Sequence, residues 1–93
     1  MRSTYWGNQV VTSTRKLLAR VLAGLKNVRF SELVRLVEAF GFRQARTEGS
    51  HHIFVHPGIP ELVNLQDVGG RAKPYQVRQF LKLVEKHNLK MEV

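Results

Sequence analysis

Residues 31–57 read SELVRLVEAFGFRQARTEGSHHIFVHP, and within them the hydrophobic period changes from that of a helix to that of a strand. Leu33, Leu36, Val37 and Phe40 fall at i, i+3, i+4 and i+7, one apolar helix stripe, while Glu32, Arg35 and Glu38 face water. Ser31 is placed to cap the start of this helix, and Gly41 supplies a left-handed stop. Residues 42–47 alternate loosely, Glu48-Gly49-Ser50 reads as a turn, and residues 51–56 are β-branched and aromatic in their middle before Pro57 ends them. A helix running into a β-hairpin is the expected result.

Outward from this stretch the same reading extends both ways. On the C-terminal side, Pro57-Gly58-Ile59-Pro60 is a second turn, residues 62–66 form a third strand, and Gly69-Gly70 closes it. Short connections make the three strands an antiparallel meander. Pro74 suits the first turn of a last helix, whose Val77, Phe80, Leu81 and Val84 repeat the helical stripe. On the N-terminal side, Leu17, Leu18, Val21 and Leu22 make a short basic helix ending at Gly24, with Ser13 or Thr14 as its cap, and residues 1–12 form a loose lead-in. The expected fold is α+β, a single domain over residues 1–93, with residues 13–29 as an extra helix and connector before a core of 30–93. Two amphipathic helices cover one face of the sheet and leave the other open for function. Phe40, Phe42, Phe54 and Phe80 are read as core.

Charge is unevenly spread over the 93 residues, whose formal net charge is +8. Residues 1–31 hold six Lys/Arg and no acid, 32–70 hold three against five, and 71–93 hold six against two. Basic flanks around a mildly acidic middle fit a polyanionic partner, because cations beside phosphates release condensed counterions. No segment joins a strongly basic face to a large aromatic-rich apolar one, so anionic lipid is the weaker reading. The absence of cysteine excludes thiol catalysis, disulfides and thiolate metal sites. No apolar run approaches the ~20 residues of a membrane span, and the first residues lack an apolar signal core, so a cytoplasmic protein without membrane contact is expected.

Gly49-Ser50-His51-His52-Ile53-Phe54 carries the candidate chemistry. Glycine allows a tight turn, serine adds a hydroxyl, and imidazole moves protons near neutrality. His51 and His52 are the candidate catalytic residues. Neighbours on a strand point to opposite faces, so they do not form one acid–base pair, and His56 lies roughly 13 Å beyond His52 along an extended strand. Parity alone leaves open which histidine faces the free side. The H-H-x3-H spacing matches no common metal site, and neither metal nor cofactor is expected. A second region, Gly69-Gly70-Arg71-Ala72-Lys73-Pro74-Tyr75, puts cations at a helix N-terminus, where they oppose the dipole unless an anion joins them. Arg71, Lys73, Arg78 and Arg46 are candidate RNA contacts, and Tyr75 is placed either to stack on a base or to pack. Lys82 and Lys86 read as a solvated helix face, and His87 as a helix C-terminal cation or a surface residue.

These segments resemble the HicA (YcfA-like) toxins, the ribonuclease half of toxin–antitoxin pairs, over roughly residues 30–86. Phe30-Ser31-Glu32-Leu33, Gly41-Phe42, Gly49-Ser50-His51-His52-Ile53-Phe54, His56-Pro57 and Lys73-Pro74-Tyr75-Gln76-Val77-Arg78 carry the resemblance. It implies a double-stranded-RNA-binding-domain-like α-β-β-β-α fold and an mRNA endonuclease that blocks translation. It also implies His51 as the catalytic histidine, Gly49 as part of the motif, and a HicB-like antitoxin that covers the site. The extra N-terminal helix departs from the shortest members of that family. Metal-independent transesterification is the chemistry expected. The competing readings are a non-catalytic RNA-binding domain of the same fold, and a basic face that docks an acidic protein.

Overall fold

The computed structural model describes residues 13–92; the lead-in expected over residues 1–12 lies outside them. Six elements follow in order: helix α1 (13–22), helix α2 (Phe30–Ala39), strands β1 (Arg43–Glu48), β2 (His51–Val55) and β3 (Val63–Gln66), and helix α3 (Pro74–Lys86). This is the expected α+β arrangement. Among the described residues no helix is long and apolar enough to cross a membrane.

In α2, Leu33, Leu36 and Val37 are fully buried and Phe40 nearly so, which is the stripe that the spacing predicts. Its start differs from the reading of Ser31 as cap. The helix begins at Phe30, with Arg29 as N-cap residue and Glu32 accepting from the Arg29 N–H at 2.9 Å. Phe30 is buried, and its own N–H donates to the Gly70 carbonyl at 2.9 Å, so a capping hydroxyl is not needed there. At the other end, Gly41 takes φ +94°, the Phe42 N–H reaches the Val37 carbonyl, and the Gly41 N–H reaches Glu38. This paired closure satisfies carbonyls that the helix leaves free, and it turns Phe42 back into the core. In α1, Ser13 and Thr14 already lie within helical residues, and Thr14 is buried on the same face as Leu17 and Val21.

The sheet order is β1-β2-β3, antiparallel throughout. Its covered face presents Phe54, Val63 and Leu65 to a core completed by Leu17 and Val21 of α1, the α2 stripe, and Val77 and Phe80 of α3. Phe80 meets Phe40 and Phe42 edge-on, with ring centroids 5.7 and 5.8 Å apart. All four phenylalanines read as core are buried. Two polar ties hold the periphery. The buried side-chain amide of Gln76 donates to the Asn64 carbonyl at 3.2 Å and accepts from the Gln66 N–H at 3.0 Å, pairing backbone groups on the outer edge of β3. Glu61, in the β2–β3 connection, accepts from Lys86 at 2.7 Å and bonds His87 at 2.9 Å, fastening that loop to the end of α3.

Gln76→Leu keeps the volume and removes both edge bonds, so chemical denaturation should show a loss of about 1–3 kcal/mol. The Glu61 carboxyl is lowered from 4.5 to about 2, first by Lys86 and then by His87. A depressed carboxyl stabilises the fold fully above its ordinary value, and that stability is lost as pH falls toward 2. Since the side chain is 31% exposed, water screens the cluster and the effect is modest. Urea midpoints of the native chain and Glu61→Gln should therefore differ near pH 6 and converge near pH 2.

Candidate active site

Side chains alternate along β2, and the burial of Phe54 on the covered face fixes the rest. His52 shares that face, while His51, Ile53 and Val55 point to the open one. His51 is exposed and follows directly on the two-residue turn, where Gly49 takes φ +61°. Its Nδ1 lies 3.0 Å from Oδ1 of Asn64, and Nε2 has no hydrogen-bond partner among the described residues. Asn64 stands diagonally across from His51, since the register pairs His51 with Gln66 and Ile53 with Asn64. Ile53 is 4% exposed yet outside the main core, an apolar floor between Arg46 and Asn64 as cross-strand neighbours.

The two histidines at the head of β2 are thus separated, as their parity requires. His52 is half-buried, its ring centroid 4.8 Å from that of Phe30, and its Nδ1 accepts from the Gln44 side-chain amide at 2.9 Å. That amide also donates to the Thr47 hydroxyl at 2.7 Å. His56 accepts from the Gly58 N–H at 2.9 Å and packs edge-on to Phe42, with centroids 5.0 Å apart. His87 belongs to the Glu61 cluster. Among the described residues no group of three or more His, Cys, Asp or Glu is placed to hold a metal ion.

A β-bulge reshapes the cation pattern. Gln44 pairs with Phe54 and Arg46 with Ile53, leaving Ala45 unpaired. The extra residue brings Arg43, opposite Val55, and Arg46 onto the same open face as His51, although strict alternation would separate them. Arg46 bonds Glu48 through its Nε, so the carboxylate opposite His51 in the register is engaged by a cation. Ser50 is exposed at the turn, and its carbonyl accepts from the Asp67 N–H at 2.9 Å.

The His51 end of the sheet also gathers the second basic region. Arg71 bridges both Arg29 and Val68, and the Ala72 N–H donates to Val28 at 3.0 Å, tying the loop to the start of α2. Lys73 is the exposed N-cap residue of α3, its Nζ 5.9 Å from the Tyr75 ring centre. The N-termini of α2 and α3 therefore approach this end together and add their partial positive charge. Tyr75 and Arg78 are exposed on α3, which covers the opposite face, so the fold does not set them on the face of His51. Lys82 is solvated and Lys86 is paired with Glu61.

Asn64 and Arg43 were not legible as site residues. The alternation Val63-Asn64-Leu65 does point Asn64 outward, but its diagonal position depends on the β2–β3 register. The place of Arg43 depends on the bulge.

Among known proteins, no curated protein and no solved structure matches the chain. A family model described as HicA toxin of bacterial toxin–antitoxin matches residues 30–85. That match starts on the first residue of α2, takes in the whole sheet with His51 and Asn64, and stops one residue short of the end of α3. Well over half of the chain is covered, and the part left out on the N-terminal side contains α1. The chain belongs to the HicA toxin family, and is accordingly the toxin of a toxin–antitoxin pair with an antitoxin as its partner.

Proposed function

We propose that the toxin is an RNA endonuclease acting on mRNA in the cytoplasm, with His51 as general base, and that a HicB-like antitoxin silences it by covering the open face. The observation that carries this reading is the exposed imidazole at the head of β2, on the same face as Arg43 and Arg46 and at the same end of the sheet as Arg71 and Lys73. His52, engaged with Phe30 and Gln44, serves in this reading to hold the turn and strand rather than to move a proton.

The proposed reaction is transesterification without a metal. His51 Nε2 takes the proton of a ribose 2′-OH, and the 2′-oxygen bonds to the adjacent phosphorus. The bond from phosphorus to the 5′-oxygen then breaks. A solvent proton goes to the leaving 5′-oxygen and His51 returns its proton to solvent, giving a 2′,3′-cyclic phosphate and a 5′-hydroxyl. Arg71 and Lys73 stabilise charge on the phosphoryl oxygens. Arg46 and Arg43 hold the flanking backbone, while Tyr75 and Arg78 serve only RNA that reaches around to α3. Gly49 and Ser50 set the turn from which His51 projects.

His51→Ala should lower cleavage of a model RNA by about 10²–10⁴-fold and relieve growth arrest on expression, with His87→Ala as a folded control that keeps both. Cleavage should persist in chelator and leave cyclic-phosphate ends. Undiminished cleavage by His51→Ala, or complete loss in chelator, would remove this mechanism. Salt-sensitive RNA retention with no cleavage by the native chain would favour the non-catalytic binding domain instead.

A further inference from the structure

We infer that Asn64 is a positioning residue for His51: its side-chain carbonyl accepts the Nδ1 proton of the imidazole and so keeps the ring's lone pair on Nε2, turned to the open face. The inference rests on the reading of His51 as the base.

A neutral imidazole carries one proton, and the nitrogen without it is the only one that can accept another. The bond that one ring nitrogen makes decides which nitrogen that is. Here the partner of Nδ1 is a carbonyl oxygen 3.0 Å away, an acceptor only, so Nδ1 carries the proton and Nε2 is free. Among the described residues no other group bonds the ring: Glu48, its cross-strand neighbour, is turned to Arg46, and the side chain of Gln66, on the other side, makes no hydrogen bond to it.

Asn64 is itself firmly placed. Val63 and Leu65 on either side of it are buried in the core, its register partner Ile53 is buried on the site's own face, and its carbonyl is held by Gln76. An exposed ring at the end of a strand would otherwise sample several rotamers. The amide, carried on an anchored backbone, limits that freedom, and being uncharged, it orients the ring without placing a negative charge beside it. A carboxylate in the same place would favour the protonated ring and reduce the base available near neutrality.

The test is ¹⁵N NMR of the histidine rings in the full chain, with Asn64→Ala and Asn64→Asp alongside the native protein, followed by RNA cleavage as a function of pH. The native His51 should show the Nδ1–H tautomer. Asn64→Ala should shift it toward Nε2–H and lower kcat about 10- to 100-fold, with KM little changed. Asn64→Asp should keep the tautomer and, by placing a carboxylate beside the ring, move the acid limb of the cleavage profile to higher pH. A native Nε2–H tautomer, or an Asn64→Ala ring with unchanged tautomer, overturns the inference. The ring spectra need no substrate, so failure of the catalytic reading, seen as full cleavage by His51→Ala, is distinguished from failure of the role given to Asn64.

Discussion

Burial of Phe54 is the constraint on which the site depends. A strand has two faces and a period of two, so once Phe54, with no exposed surface, is committed to the core between the helices and the sheet, every other side chain of β2 is assigned. His52 goes inward with it and His51 outward. Slippage by a single residue would expose the phenylalanine and bury the imidazole. The apolar term that secures this, about 25 cal/mol per Å² of surface removed from water, is larger than any preference that an exposed histidine could exert for itself. The position of the candidate base is therefore settled by the hydrophobic effect acting three residues away.

Much of this could be read from the chain. Periodicity supplied the order of elements, the two long helices and the core aromatics, because apolar stripes report burial directly. The separation of His51 from His52 followed from alternation alone. Helix starts were less legible: Ser31 is a good capping residue by type, yet the Phe30 N–H finds the Gly70 carbonyl, a partner forty residues along the chain that no local pattern reveals. The bulge at Ala45 and the diagonal contact of His51 with Asn64 belong to register, which is decided by the joint packing of three strands. Arg43 and Asn64 accordingly became visible only in the folded molecule, whereas Arg46 could be named in advance.

The N-terminal helix lies outside the residues shared with the family, but it is not loosely appended. Leu17 and Val21 are nearly as inaccessible as the centre of α2 and belong to the same core. Its inner face packs in the helical layer that covers one side of the sheet, so the open face with His51 is left unobstructed by α1. Helix α1 has thickened the covered layer without roofing the candidate site.

Gln76 gives the sheet an asymmetry that composition does not suggest. By occupying the Asn64 carbonyl and the Gln66 N–H, one side chain behaves like a fragment of a missing fourth strand and stoppers that margin. Among the described residues the opposite margin, along Arg43–Glu48, has no such plug and carries a bulge and two arginines. A foreign strand pairing along the β3 margin would first have to displace Gln76.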